Sequence, residues 1–430
     1  MFEFGRDLRR LFEKARDSDD LGWLELIGVG LVEVEARQQT VDAGRVSCPR
    51  PHDASLRASA LWREHARRCG AAASLDKAES AAREAVRHAH NDDETIRATL
   101  ELCQSGMLAF DLCGDPARLN AVLALLAALP VARRGDTAAA VAALHARLRA
   151  RQASISGETA TLQEAAALLD GALHGLRGQQ RALEDDLRLD RAALMLEAGL
   201  AARDPRMLDQ AGADLRALVE AATPEQRPLS RARALALCAA GMAALAAIAG
   251  DVTARDQAHA LFDAAADQFT PDHSPLDWAA IQVLRSGGDA LPLMVLNQAE
   301  ILTQGQGLII GALVRERRLA REIALVEAME DRAGLDVLED RLRRRLAAAA
   351  PLDWAADQIS LAGVALARRR LGGPRTAPPE PDSERGRADG PRNGRPRPGR
   401  TRGPAAVAVG RLKPQPPIAT KGPFRKRGLP

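Results

Sequence analysis

The chain has 430 residues, which exceeds one compact core and suffices for several domains or an extended array. Hydrophobic residues make up 46% of it, mostly Ala, Leu and Val, and aromatic residues only 3%, which favours packed helices over β-sheets. The net charge of +3 describes neither the first 373 residues, which carry −7, nor residues 374–430, which carry +10.

Five cysteines form an odd and sparse set, which argues against a disulfide scaffold and predicts a reducing, cytoplasmic location. The N-terminus, MFEFGRDLRRLF, lacks the apolar segment of a signal peptide. Phe4, Leu8, Leu11 and Phe12 share one face at helical spacing, which favours a helix docked on the protein over a membrane anchor. We therefore expect an N-terminal helical segment over residues 1–53.

The first candidate site has the spacing C-x3-H-x12-H-x3-C and consists of Cys48, His52, His65 and Cys69. These residue types bind zinc, and His65 and Cys69 share a helix face at i, i+4. The order is not that of common zinc fingers, and a long helical array does not need a metal to fold. We predict no metal and no cofactor, with zinc at these four residues as the alternative.

Residues 54–372 are predicted to form successive helical hairpins joined by short loops. Two helices share the opening D-P-x-x-L, in which Asp115 and Asp204 are N-caps and a proline takes the first helical position. A third hairpin covers 229–270, and its first helix ends at Gly250. No segment alternates in the way a β-strand requires.

The run ALALCAAGMAALAAIAG, residues 234–250, is seventeen residues long and uncharged. A membrane-spanning helix needs about 20 apolar residues, and nine of these seventeen are Ala, which contributes little to insertion. Charged residues stand at both ends. We predict a buried core helix, with a membrane span as the alternative.

The octet PLDWAAIQ at 275–282 recurs as PLDWAADQ at 351–358, after a gap of 76 residues. Proline suits the first helical position, and an aspartate two residues later faces the positive end of the helix dipole. The octet therefore predicts two helix starts in equivalent surroundings, two hairpin units of about 38 residues apart. Its matched positions are Pro275, Asp277, Trp278 and Gln282 in the first copy, and Pro351, Asp353, Trp354 and Gln358 in the second.

The segment PLDWAADQISLAGVAL, residues 351–366, resembles the first helix of bacterial tetratricopeptide-like repeats. The resemblance implies that Trp354 and Leu361 fill a hairpin core and that Ala362 or Gly363 admits the partner helix. It also implies an all-α, right-handed solenoid of antiparallel hairpins that binds a protein or peptide. We predict that Trp354→Ala lowers the melting temperature, because truncating a buried Trp costs ~3–5 kcal/mol.

Motifs of the common enzyme classes, such as HExxH, GxSxG and the P-loop, are absent from the sequence. The stretch GQGLIIG, residues 305–311, has one residue too many for a dinucleotide loop and no preceding strand, so we predict a loop between helices. We therefore expect a non-catalytic scaffold whose concave surface, formed by the first helices of the hairpins, binds another protein.

Residues 373–430 contain 13 of the 24 prolines and no periodic apolar face, which predicts a basic, disordered tail. Two interpretations stay open, a functional basic arm and out-of-frame translation of an Arg-rich coding region. The alternative function, association with nucleic acid, depends on this tail alone and predicts binding that weakens steeply with salt. We expect no membrane partner.

Overall fold

A computed structural model describes residues 21–176, 181–285, 291–304, 306, 308–346 and 349–372. These ranges form a 3₁₀ helix, Leu21–Leu26, and sixteen α-helices, with no β-strand among them. The first eight are α1 (Val29–Ala43), α2 (Pro51–Cys69), α3 (Ala72–Arg87), α4 (Asp92–Cys113), α5 (Pro116–Ala127), α6 (Gly135–Ser156), α7 (Thr159–Leu176) and α8 (Arg181–Ala202). The others are α9 (Pro205–Ala221), α10 (Pro228–Ala249), α11 (Val252–Ala266), α12 (Pro275–Arg285), α13 (Leu293–Thr303), α14 (Ile309–Ala328), α15 (Arg332–Leu346) and α16 (Pro351–Arg370).

The predicted helix signals are confirmed at the backbone. Asp115 accepts a hydrogen bond from the N–H of Ala117 at 3.0 Å, and Asp204 accepts one from Arg206 at 2.9 Å. Each satisfies a backbone donor that the first turn leaves unpaired. Gly250 ends α10 in the left-handed conformation, with φ 69°, where glycine is favoured.

The helices pack in chain order as neighbouring pairs, as stacked hairpins do, so the predicted all-α architecture is confirmed. Each even-numbered helix from α2 onward also packs against the next even-numbered helix, and we call this series the inner helices. Among the described helices, no contact of that size joins successive odd-numbered, or outer, helices. The inner helices are the first helices of the predicted hairpins.

The octets mark equivalent positions in this series. Pro275 begins α12 and Pro351 begins α16, and one inner helix, α14, lies between them. It begins at Ile309, so the units are 34 and 42 residues long, and the prediction of two hairpin units is confirmed. Residue 53 lies in the first turn of α2, which packs on α1, so helical packing continues across the predicted boundary there.

The series of inner helices returns on itself, because α12 packs against α2 and α14 against α4. The N–H of Val29 donates to the carbonyl of Asp272, just before α12, at 3.1 Å. Gly70 ends α2 at φ 73°, and a Cβ there would lie 2.4 Å from a methyl carbon of Leu308, just before α14. The close approach and the backbone angle together require glycine.

Helix α10 contains the apolar run tested above as a membrane span. By its length and its mean hydropathy of 1.9, it is the one helix in the described ranges that could cross a membrane. One third of its most apolar 18-residue stretch is buried inside the protein. It packs against the 3₁₀ helix and against α8, α9, α11 and α12. These contacts make α10 part of the helical stack.

The predicted amphipathic helix before residue 21 and the predicted tail after residue 372 lie outside the described residues.

Candidate binding cavity

A cavity of about 1510 Å³ lies among five inner helices. Its walls come from most of α2, from the N-terminal halves of α4, α6, α8 and α10, and from the 3₁₀ helix and the segment joining α1 to α2. A second cavity of about 210 Å³ adjoins it between α2, α4, α6 and α8. Both are lined by Arg63, Arg67, Gln104 and Asp186.

Four of these inner helices, α2, α6, α8 and α10, begin at the cavity, because residues of their first turns line it. The unpaired N–H groups of a helix start carry partial positive charge. Pro51 and Pro228 occupy first-turn positions of α2 and α10, where the missing N–H costs nothing. The local sequence therefore determines where these helices begin, and the helix starts place partial positive charge at the cavity.

Ion pairs between successive inner helices form the walls. Arg63 of α2 donates two hydrogen bonds to Glu101 of α4, at 2.8 and 2.9 Å. Arg151 of α6 binds Asp111 of α4 at 2.7 Å and Asp190 of α8 at 3.0 Å. Because such forked contacts fix geometry as well as charge, they hold the inner helices in register.

Asp186 of α8 is surrounded by arginines. Arg147 lies 3.0 Å from its carboxylate and Arg67 lies 3.3 Å from it. Burial by itself would raise the pKa of Asp186, but Arg147 and Arg67, with Arg233 and Arg63, lower it well below its usual range. The surrounding groups therefore create a positive potential at the Asp186 carboxylate.

The neighbouring carboxyl behaves in the opposite way. Burial, opposed by Arg227 and reinforced by Asp186 and Glu25, raises the pKa of Asp185 to about 6. Asp185 is ion-paired with Arg227, which also lies 3.4 Å from Glu25. Two carboxylates thus share one guanidinium on the α10 side of the cavity.

The cavity wall is joined to the return contact by a further set of polar bonds. Glu25, in the 3₁₀ helix, accepts hydrogen bonds from the backbone and the hydroxyl of Ser230 at 2.8 and 2.6 Å. The carbonyl of Glu25 lies 2.8 Å from a ring nitrogen of His273. Arg68, fully buried in α2, donates to the carbonyls of Leu24 and Ile27, both at 2.7 Å.

The two octet aspartates occupy equivalent places. Asp277 of α12 binds Arg233 of α10 at 2.6 Å, and Asp353 of α16 binds Arg315 of α14 at 2.5 Å. Each pair ties an inner helix to the one before it. Besides facing the helix dipole as predicted, these aspartates therefore anchor the stacking of the hairpins.

The other octet residues divide between core and surface. Trp278 is partly buried and packs in two core clusters, and Gln282 is buried. Leu361 packs in the core between α14, α15 and α16, as the resemblance implied. Gln358 is half-buried. Trp354 is 48% exposed, so its predicted burial is wrong, because α16 is covered by α14 and α15 alone among the described helices.

The alternative zinc residues are not brought together. His52 and His65 lie thirteen residues apart on α2, roughly 20 Å along its axis. His52 faces the carbonyl of Ala85 at 3.0 Å, and His65 faces the hydroxyl of Ser74 at 2.9 Å. Cys69 lies 3.4 Å from His65, while Cys48 lines the cavity. In the described part of the chain, no group of three His, Cys, Asp or Glu side chains is placed to hold a metal ion.

The ion pairs between successive inner helices, which we call the ladder, were not predicted, although the sequence contains a signal for them. Its pairs join residues 38 to 44 positions apart, which is about one hairpin. The members, by pair, are Arg63–Glu101, Asp111–Arg151, Arg147–Asp190, Asp185–Arg227 and Arg233–Asp277. Charges that recur at this spacing become visible once the helix starts are aligned.

Comparison of the chain with protein families, curated proteins and solved structures gave no match. The cavity presents guanidinium groups, carboxylates and the hydroxyls of Ser47 and Thr137. Such a wall recognises charged and hydrogen-bonding groups. What can be concluded about function therefore rests on the helical stack and this cavity.

Proposed function

We propose that the protein is a non-catalytic scaffold of tetratricopeptide-like hairpins, wound as a right-handed solenoid, that binds a segment of another protein in this cavity. The observation that carries the proposal is that five inner helices line one cavity of about 1510 Å³. Small-molecule sites commonly measure about 300–1,000 Å³, so the space suits a segment of several residues. Solenoids bind partners on surfaces that their stacked repeats form in this way.

The electrostatics of the residues that line the cavities support binding rather than proton transfer. Asp185, with its pKa raised to about 6, is paired with Arg227 and is not among the lining residues. The pKa values of Asp186 and Asp190 lie below the usual range, because arginines outweigh the effect of burial, so both stay ionised at neutral pH. A general acid or base works best with a pKa near the working pH. Fixed, ionised pairs instead give a rigid surface for recognising hydrogen-bonding groups.

A site-specific photo-crosslinking experiment tests the proposal. Benzoylphenylalanine replaces Gln104, which lines both cavities, or Gln210, which is exposed on the outer helix α9. Each full-length protein is irradiated in lysate of the organism that encodes it, and the adducts are identified by mass spectrometry. We expect a defined protein adduct from position 104 and none of the same identity from position 210.

The proposal fails if position 104 gives no protein adduct while a folded, correctly melting variant is present. A defined protein adduct from position 210, with none from position 104, would place the binding surface on the outer helices instead.

A further inference from the structure

We propose that the cavity takes an acidic peptide segment, an extended stretch rich in Asp and Glu. This inference rests on the proposed function and adds the chemistry of the bound partner. It is carried by a difference between the charged residues that line the cavity. The deeper carboxylates are held by arginines of the wall, whereas Arg97 and Arg181 at its edge have no ion-pair partner among the described residues.

The exposed arginines that line the cavity come from three separate elements. Arg97 of α4 and Arg181 of α8 are exposed and have no ion-pair partner among the described residues. Arg50 lies 4.0 Å from Asp53, and Arg45, between α1 and α2, is exposed but pairs with Asp42 at 3.0 Å. Guanidinium groups of this kind can each donate forked hydrogen bonds to a carboxylate.

The carboxylates deeper in the cavity are already held by arginines of the protein. Glu101 accepts both hydrogen bonds of Arg63, and Glu64 accepts one from Arg68 at 2.7 Å. Asp186 is bound by two arginines, as described above. A cationic ligand would have to displace these guanidinium groups, whereas an anionic ligand meets Arg97 and Arg181, which have no ion pair to break.

The backbone adds to this preference. Four helix starts, those of α2, α6, α8 and α10, face the cavity with partial positive charge. Arg147 and Arg67, 3.0 and 3.3 Å from Asp186, hold its pKa low, so the positive charge of the arginines outweighs the other carboxylates at that point of the wall. Both effects attract negative charge over a wider area than a single arginine does.

A peptide fits the cavity better than a nucleic acid. The described residues that line the cavity include no Trp, Phe or His, whereas proteins that bind single-stranded nucleic acid stack its bases on aromatic rings. The wall also presents carboxylates such as Glu101 beside its arginines, which repel a continuous row of phosphates. A peptide carries its negative charges on side chains and leaves backbone groups to pair with Gln39 and Gln104.

Fluorescence anisotropy tests the proposal with three labelled decapeptides, alternating Ser with Glu, Gln or Lys, and with a ten-residue oligo-dT. All are titrated with the full-length chain at about 50 mM and about 200 mM salt. We expect the Glu peptide to bind most tightly of the three peptides, with an affinity that falls at higher salt.

Matched variants separate the cavity from the basic tail, which attracts acidic peptides without the cavity. The cavity variant is R97E/R181E, and the control is R206E/R216E on α9, where both arginines are exposed and away from the cavity. Both change the net charge equally and keep the tail. We expect the cavity variant to bind the Glu peptide about tenfold more weakly than the control.

Equal affinity of the two variants for the Glu peptide, or a preference for the Lys peptide, overturns the proposal. So does oligo-dT binding that is tighter than Glu-peptide binding and is lost in the cavity variant, because the ligand would then be a nucleic acid. If R97E/R181E does not fold, R97Q/R181Q replaces it. If a protein crosslinks at position 104 but the Glu peptide does not bind, the proposed scaffold function is retained and only the acidic character of the ligand is ruled out.

Discussion

A tryptophan side chain is buried at one end of the described array and exposed at the other. Trp62 of α2 is 2% exposed, whereas Trp354 of α16 is 48% exposed. Both lie on inner helices. Helix α2 is covered by α1, α3, α4 and α12, but α16 packs on α14 and α15 alone among the described helices. A tryptophan on an inner helix therefore becomes core only where neighbours flank that helix on every side.

Complete burial brings Trp62 polar and ring contacts that Trp354 does not make with any of the described residues. Its indole N–H donates to the hydroxyl of Thr40 at 2.9 Å. His65 meets its ring edge-on, with centroids 5.9 Å apart, and the Lys77 ammonium lies 4.1 Å from the ring centre. Each contact adds to the energy of burying the ring.

The largest effect is expected from Trp62→Ala. Truncating a buried tryptophan costs about 3–5 kcal/mol, so the variant should lose that much free energy of unfolding and melt at a lower temperature. Chemical denaturation of both proteins, followed by circular dichroism, measures the loss. A loss below about 1 kcal/mol would mean that the N-terminal end of the array is loosely packed.

Arg151→Ala should rank second. It removes the shared partner of Asp111 and Asp190 and leaves Asp190 with Arg147 alone. Breaking a buried pair costs about 3–5 kcal/mol, and since Asp190 keeps some access to solvent we expect about 2–3 kcal/mol. The matched control is Arg206→Ala, an exposed residue of α9, which should change stability by less than about 0.5 kcal/mol. Equal losses would show that the ladder does not stabilise the stack.

The pH dependence of stability should separate two classes of carboxyl. The folded-state pKa values of Asp186, Asp190 and Asp277 are lowered, because arginines outweigh burial, so their contribution is fully present above about pH 4 and is lost as the pH falls further. Asp185, with its pKa raised to about 6, acts in reverse. Its charge destabilises the fold above pH 6, and this cost disappears as the pH falls from 6 to 4.

Asp185→Asn tests that difference, because the amide does not titrate. Between pH 6 and 4 the native protein should gain stability from protonation of Asp185, and the variant should lack this gain. Urea denaturation at pH 4.5, 5.5 and 7 gives the comparison. Identical slopes for both proteins would contradict the raised pKa.

The smallest effect is expected from Trp354→Ala. Because nearly half of the side chain is exposed, we expect a loss of about 1 kcal/mol or less, well below that of Trp62→Ala. The two variants are compared in the same denaturation series. A loss equal to that of Trp62→Ala would mean that something covers this face of α16 in solution.

The local features were predictable because neighbouring residues determine them. Caps at Asp115 and Asp204 and the stop at Gly250 depend on side chains and backbone angles within one turn, and all three were confirmed. The repeated octet likewise indicated two equivalent helices two hairpins apart. Resemblance over a single helix could not tell whether Trp354 would be covered, because burial depends on which helices pack against it.

By itself, the sequence determined the all-helical character of the described residues, several places where helices begin or end, and the pairing of neighbours into hairpins, because these follow from short-range bonds and apolar periodicity. Only the tertiary structure decided that α12 returns to α2, that Arg63 meets Glu101 and Arg151 meets Asp190, and that five inner helices line one open cavity. The rotation from one hairpin to the next sets these contacts. That rotation accumulates from many small packing choices, which no local stretch of residues specifies alone.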